Sequence, residues 1–284
     1  MADLRLLAPP RRHLLSVSDL ERADVERILE TARSLASSLD REVKKLPTLR
    51  GRTVVNIFYE SSTRTLASFE LAAKRLSADT MSIRSAGSSA DKGESLKDTI
   101  LTLSAYEPDV IVIRHPSIGA PQLVARWSDA HVVNAGDGKH QHPTQALRLV
   151  GAHSTLVGPP TLLPRGIEAL GCAVATDIGE IAHADVVYVL RMQRERMAAG
   201  EAFVPSLQEY TALYGITPER VRPGQVVMHP GPMNRGVEID PRVADSGAAL
   251  VTAQVRAGLV VRMAVLYDLL VATPAPAHVP AGVA

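Results

Sequence analysis

Thr53-Val54-Val55-Asn56-Ile57-Phe58-Tyr59-Glu60-Ser61-Ser62-Thr63-Arg64-Thr65 is the stretch from which the fold of this chain is read. Its first five residues form an apolar, β-branched run of strand type. Beyond it, Leu66, Phe69, Ala73 and Leu76 recur every three or four residues, the spacing of one buried helix face. A strand that passes into hydroxyl residues at a helix start leaves backbone N–H groups pointing outward without intrahelical partners, which is an anion site. Ser62, Thr63 and Thr65 add hydroxyl donors there. Arg64 adds a permanent charge on a planar fork that fits phosphate or carboxylate oxygens. An ordinary N-cap accounts for Ser62 taken alone; an arginine inside the run of donors favours a bound anion.

The chain around this stretch has 284 residues, enough for two domains of ordinary size, each with a sizeable core. With 46% apolar and 21% charged residues its composition is that of a globular protein. A net charge of +1 gives no general field for nucleic acid or acidic membranes, so an anion must be met by local clusters of Arg, Lys and His. The single cysteine, Cys172, excludes an intrachain disulfide and fits a reducing cytoplasm. It lies between Gly171 and Ala173 in an apolar run and reads as a buried structural thiol rather than a nucleophile. No stretch reaches the roughly 18 to 20 apolar residues of a membrane span, and the N-terminus lacks a signal-length apolar segment. The expectation is a soluble, cytoplasmic protein that binds neither nucleic acid nor membranes.

In chain order, residues 1–12 read as a loose arm. A first helix is expected from Ser18, which has capping-box spacing to Glu21, with Val25, Ile28, Leu29, Ala32 and Leu35 on its apolar face. Ser85 to Lys92 is too hydrophilic for a core and reads as an exposed loop, a common carrier of binding groups. A helix from Ser95 to Ala105 leads to Val110-Ile111-Val112-Ile113, a continuous apolar run typical of a strand covered on both faces, ending at Arg114-His115-Pro116. His131-Val132-Val133-Asn134 is a further strand, followed by a turn at Ala135-Gly136-Asp137-Gly138 and a helix opened by His142-Pro143-Thr144-Gln145. Strands thus end in polar clusters at Ser62, Arg114 and His142, and the carboxyl ends of parallel strands are where such clusters converge on a ligand. The second half repeats the alternation, with strands at Thr155-Leu156-Val157, Val186 to Leu190 and Val226-Val227-Met228. These end at Gly158-Pro159-Pro160, at Arg191-Met192-Gln193 and at His229-Pro230-Gly231-Pro232. A last helix carries Val255, Leu259, Met263, Leu266 and Leu270 on one face, and the Ala/Pro-rich tail 272–284 reads as disordered. The predicted architecture is α/β, with two doubly wound parallel-sheet domains.

Six motifs in order, Phe58 to Thr65, Lys92-Gly93-Glu94, Arg114-His115-Pro116, His142-Pro143-Thr144-Gln145, Arg191-Met192-Gln193 and His229-Pro230-Gly231-Pro232, resemble the aspartate/ornithine carbamoyltransferase family. The lysine before Gly93-Glu94 and the run Asn234-Arg235-Gly236-Val237-Glu238 resemble its aspartate branch. The resemblance runs from about Arg12 to Leu270. It implies transfer of a carbamoyl group from carbamoyl phosphate to L-aspartate, in pyrimidine biosynthesis, with no cofactor and no metal. It implies that residues 1–147 with a C-terminal helix 253–271 bind carbamoyl phosphate and that residues 148–252 bind aspartate. It assigns Ser62, Thr63, Arg64 and Thr65 to the phosphate; Thr65, Arg114 and His142 to the carbonyl, with Arg114 bridging to phosphate; and Gln145 to the carbamoyl amide. Arg191 and Gln193 would take the aspartate carboxylates, and the backbone at Gly231 and Pro232 the amine. Ser88 and Lys92 would come from a neighbouring subunit of a homotrimer. Regulatory chains or dihydroorotase are the further partners that the family implies.

The residues by themselves leave several points open. His140 and His142 lie two apart in a Gly-rich turn, so a metal site there stands beside the plainer reading as helix-start residues. Lys92 also reads as a solvated loop charge, Arg191 as an ion-pair partner, and His229 as a structural turn residue. The chain also departs from the resemblance. Gln145-Ala146-Leu147 runs directly into Arg148-Leu149-Val150-Gly151-Ala152-His153, which is similar to the end of a later helix. About one strand–helix unit, roughly 30 to 40 residues, is missing near Leu147. That unit would supply an arginine for an aspartate carboxylate and the first, central strand of the second sheet. Its loss predicts unpaired or rearranged strands there. An impaired homologue that keeps phosphate binding and assembly, or a carbamoyltransferase for another amino acid such as ornithine, are the alternatives to an active aspartate enzyme. Smaller departures are Leu66, where relatives often carry Arg, and Asp91, placed to pair with Lys92.

Overall fold

The computed structural model describes residues 13–84, 93–147, 152–192 and 206–272. These fall into two compact units, one within residues 1–150 and 257–284 and the other within residues 151–256.

In the first unit the strands β1 (His13–Leu14), β2 (Thr53–Phe58), β3 (Asp79–Arg84), β4 (Val110–His115) and β5 (His131–Asp137) form one parallel sheet in the order β1-β5-β4-β2-β3. Along β2 and β4 alternate residues point to opposite faces. Val54, Phe58, Val110 and Val112 join a core built with α1 (Arg22–Ala36), α2 (Thr63–Arg75) and the last helix. Val55, Ile57, Ile111 and Ile113 face the other way, against α3 (Leu96–Ser104) and α4 (Ala120–Trp127). Helices therefore cover both faces, which is why Val110 to Ile113 is apolar without interruption. Burying each such side chain contributes about 1.5–3 kcal/mol. A short helix, α5 (Pro143–Ala146), follows β5.

Local chemistry moves several boundaries. The first helix does not start at Ser18. Ser16 accepts from Ser18 N–H and closes a capping box with Asp19 over a single 3-10 turn at Val17–Asp19. Asp24 then caps the Glu21 N–H, and α1 begins at Arg22. Its face is as expected, with Val25, Ile28 and Ala32 buried and Leu29 and Leu35 packed beside them. The expected turn at Ala135 to Gly138 is mostly strand: β5 continues to Asp137, which pairs with His115 after a register shift that gives β5 one extra residue between Asn134 and Asp137.

The second unit holds four short strands, β6 (Thr155–Val157), β7 (Ala173–Ala175), β8 (Val186–Tyr188) and β9 (Val226–Met228), with α6 (Leu207–Tyr214) and α7 (Pro241–Ala244). Among the described residues they make two separate parallel pairs, β6-β7 and β8-β9, rather than one sheet. The core is small: Ile181, Val187, Val189, Ile216, Val227, Ile239 and Val243. The strand expected as far as Leu190 stops at Tyr188, and Leu190 is exposed. Cys172, expected to be buried, is half-buried with Sγ 3.5 Å from the Ile167 carbonyl.

The last helix, α8 (Val251–Tyr267), passes into a short π-helical turn, Asp268–Ala272. Met263 and Leu266 are fully buried as expected, but Val260, Val261, Ala264 and Val265 are buried too. The helix is apolar nearly all round over this part, as a core helix is. Val255, placed on the buried face by its spacing, is exposed. Among the described residues no helix is long and apolar enough to cross a membrane.

Candidate active site

Parallel pairing of β2 with β4 sets Phe58 opposite Arg114, and the Tyr59 N–H donates to the Arg114 carbonyl at 2.9 Å. The start of α2 and the Arg114 side chain thereby share one carboxyl-end rim of the sheet. At that rim Ser62 is the N-cap of α2, yet its side chain caps no backbone N–H; its Oγ donates to Thr65 Oγ1 at 2.9 Å. The helix ladder opens with Leu66 N–H donating to the Ser62 carbonyl, 3.0 Å, so the Thr63, Arg64 and Thr65 amides precede it. Thr63 and Arg64 are exposed, while Ser62 and Thr65 are half-buried.

Arg114 is largely buried, its side chain 12% exposed. Its Nη1 donates to the Ala135 carbonyl at 3.0 Å and its Nη2 to Glu60 Oε1 at 2.5 Å, while Nε is buried without a partner among the described residues. The guanidinium lies so close over β5 that a Cβ at Gly136 would collide with Nη1. Only glycine fits there, and its φ of +122° suits glycine as well. Behind this arginine the His115 ring lies 5.1 Å from that of Tyr59, and its Nδ1 accepts from the Ser117 N–H at 3.0 Å. Burial pushes the His115 pKa below its ordinary value.

His142 caps α5, with Pro143 in the first turn as read from sequence. Its Nδ1 is 3.4 Å from the hydroxyl of the buried Thr144. Gln145 donates its N–H to the His142 carbonyl at 2.9 Å, and its Oε1 is buried without a partner among the described residues. Both residues hang from the turn after β5, and that turn is built on Asp137. The carboxylate is fully buried and accepts from Asn134 Nδ2, Gly119 N–H and Gln141 N–H, with His140 Nδ1 at 3.0 Å. Burial pushes its pKa up, but the hydrogen bonds outweigh this and hold it below the usual value. His140 is thus turned to a carboxylate, and among the described residues no three His, Cys, Asp or Glu side chains group as metal ligands.

In the second unit Arg191 follows β8 and is half-buried beside the buried Met192. Gly231, with φ +62° and a cis bond to Pro232, sits in a turn after β9. That turn is organised by His229, which is fully buried. Its Nδ1 accepts from the Gly231 N–H at 2.7 Å, and its Nε2 lies 3.3 Å from the buried Glu238. His229 is a structural turn residue, the plainer of its readings. Ser88, Lys92 and Gln193, and with them the Asp91–Lys92 pairing, lie outside the described residues, as do the N-terminal arm and the tail from 273. Sequence reading does not single out Glu60, Gly136 or Asp137 as site residues. A carboxylate in an anion site has the wrong sign to attract notice, and the one available signal is its position within or beside a motif.

Residues 12–149 match the model of the aspartate/ornithine carbamoyltransferase carbamoyl-P binding domain, and residues 170–269 match that of the Asp/Orn binding domain. The chain belongs to the aspartate/ornithine carbamoyltransferase family. Among its relatives are the aspartate carbamoyltransferase catalytic subunits of Acidothermus cellulolyticus and Salinispora arenicola. Each is 50% identical, with 91% of this chain aligned to 92% and 98% of theirs. Aspartate transcarbamoylase of Trypanosoma cruzi, solved with aspartate and phosphate, superposes with a TM-score of 0.80 at 28% identity over 93% of this chain and 99% of that one. The catalytic subunit of M. jannaschii aspartate transcarbamoylase gives 0.77 at 32% identity over 92% and 98%. The Acidothermus alignment spans 300 positions, whereas 91% of 284 residues is about 258, so roughly 40 positions of that relative face no residue here.

Proposed function

We propose that this chain transfers the carbamoyl group of carbamoyl phosphate to the amine of L-aspartate, giving N-carbamoyl-L-aspartate and phosphate, as an early step of pyrimidine synthesis. The observation that carries the reading is the buried Arg114, fixed by Ala135 and Glu60 on the same rim as the hydroxyl-rich start of α2. The relatives' activity supports it. Ser62, Thr63, Arg64 and Thr65 hold the phosphate. Because the Thr65 oxygen already accepts from Ser62, its own proton is available to another acceptor. The amine nitrogen attacks the carbonyl carbon, charge builds on the carbonyl oxygen, and the bond to the phosphate oxygen breaks. Nitrogen gives up a proton and phosphate leaves. Thr65, Arg114 and His142 stabilise the oxyanion; a hydroxyl proton of Thr144 directed at Nδ1 places the imidazole proton on Nε2 for that purpose. Gln145 Oε1 accepts from the carbamoyl amide. Holding two anions together supplies much of the remaining rate. Residues 1–147 with 253–271 form the carbamoyl phosphate domain and 148–252 the aspartate domain, where Arg191, Gln193, Gly231 and Pro232 receive the second substrate.

The same reading places the protein in the cytoplasm, consistent with its lone half-buried cysteine, and in a homotrimer whose sites take Ser88 and Lys92 from a neighbour. Mixing chains inactivated separately at Lys92 and at Arg114 tests this: shared sites regain activity, and unshared ones do not.

A second reading rests on the divided sheet. In a doubly wound sheet whose strand order is 3-2-1-4-5 the first strand is central. Removing it leaves pairs 2-3 and 4-5, which is the pattern of β6-β7 and β8-β9. Roughly 40 unaligned positions of a relative and the unmatched residues 150–169 support the loss of a strand–helix unit after Leu147. On this reading phosphate binding survives and transfer is weakened. Incubating the protein with carbamoyl phosphate and either aspartate or ornithine decides between them. Carbamoyl-aspartate at rates near those of full-length relatives supports the first reading, phosphate binding without product the second, and carbamoyl-ornithine neither.

A further inference from the structure

Asp137 touches none of the atoms assigned to substrate, yet it ties together the strand and turn that lead to His142 and Gln145. We propose that Asp137 is the positioning residue for His142 and Gln145, setting the turn that aims both at the carbamoyl group. The proposal rests on the roles given above to those two side chains.

Both carboxylate oxygens are used twice. Oδ1 accepts from Asn134 Nδ2 at 3.0 Å and Gln141 N–H at 3.1 Å; Oδ2 accepts from Gly119 N–H at 3.2 Å and lies 3.0 Å from His140 Nδ1. The Asp137 N–H donates to the Gln141 carbonyl at 3.2 Å, so the turn is closed on Asp137 at both ends, one residue before His142. With the carboxylate ionised, His140 carries its proton on Nδ1 and accepts at Nε2 from the Gln141 side-chain amide, 3.1 Å away. That orients the Gln141 side-chain oxygen towards Ser16 Oγ and the Val17 N–H, at 3.0 and 3.3 Å. The same residue pairs with His115, next to Arg114 in β4. A fully buried carboxylate is costly unless its lone pairs are filled, and here four donors fill them. A neutral isostere cannot replace it: one end of a carboxamide at this position would present N–H groups to two donors. His140 could answer by changing tautomer, but a backbone N–H could not.

The consequence separates two probes. Inorganic phosphate needs the start of α2 and Arg114. Phosphonoacetamide, in which a methylene replaces the bridging oxygen of carbamoyl phosphate, also presents an amide to His142 and Gln145. Calorimetric titration of the intact protein should find phosphonoacetamide bound more tightly than phosphate. In Asp137→Asn the phosphonoacetamide affinity should fall about tenfold, with that for phosphate changed less than about threefold. Should that variant not fold, His140→Ala removes a single partner with Asp137 intact and should show the same selective loss at a smaller size. Equal weakening of both probes, or of neither, means that Asp137 only supports the fold and overturns the proposal. If the unsubstituted protein binds both probes equally, the roles of His142 and Gln145 fail, and the proposal with them.

Discussion

Arg114 donates to a main-chain carbonyl on one side and to a carboxylate on the other, and the two partners have opposite consequences for an anion. The Ala135 carbonyl fixes the guanidinium in place. Glu60 also fixes it, but brings a negative charge to the rim where phosphate is expected. Glu60→Gln keeps an oxygen for Nη2 and removes the repulsion, so phosphate should bind about three- to tenfold more tightly, read by calorimetry. Unchanged or weaker binding would show that Glu60 acts on Arg114's geometry alone. His115, next in the chain, gives a pH prediction. Its folded pKa lies below the unfolded value near 6.5 because burial disfavours the cation. The unfolded chain therefore binds more protons just below that pH, and its contribution to stability is full above about 6.5 and lost as pH falls through it. His115→Asn, which can still accept from the Ser117 N–H, should flatten the fall in urea midpoint between about pH 7 and 5. At this scale legibility follows contiguity. Ser62 to Thr65, Arg114 and His142 are donors that stand in compact motifs, whereas Glu60, though inside the first motif, acquires its role from a partner 54 residues away.

Among the elements, β2, β4, α2 and α3 are legible because burial on both faces or one clean face writes a period into the sequence. Those that escape the sequence have weaker reasons to declare themselves. β1 has two residues, and β3 is an edge strand, Asp79-Thr80-Met81-Ser82-Ile83-Arg84, in which no residue is fully buried. α4 opens at Gly119-Ala120-Pro121, residues that read equally as a turn. The three-residue strands of the second unit are at the limit of any periodicity, which gives their number imperfectly and their pairing not at all. Their stability rests on few side chains. Ile239 is fully buried in that small core and bonded to it through Gly236 and the bridge with Ile216. Ile239→Ala should cost about 2–5 kcal/mol of the second unit's stability, measured as a shift in its denaturant midpoint. A shift below about 0.5 kcal/mol would mean that this core is not packed as described.

For the whole molecule, the two units differ in what holds them together. Among the described residues the first has a continuous five-stranded sheet with helices on both faces, and the second has two strand pairs and seven buried apolar residues in its cluster. Buried area scales stability, so the second unit should unfold at lower urea than the first. On the roles proposed above phosphate would engage groups of the first unit, and at a hundredfold excess over Kd it should raise that transition by about 2.7 kcal/mol while leaving the earlier one in place. Inserting after Leu147 the strand–helix unit of a full-length relative extends the test. A new central strand would pair with β6 and β8, join the two pairs into one sheet and enlarge the core. The earlier transition should then move towards the later, and carbamoyl-aspartate formation should rise. If the graft folds yet neither midpoint nor rate changes, the pairs β6-β7 and β8-β9 are complete as they stand, and the aspartate half of the site has been rebuilt without that strand.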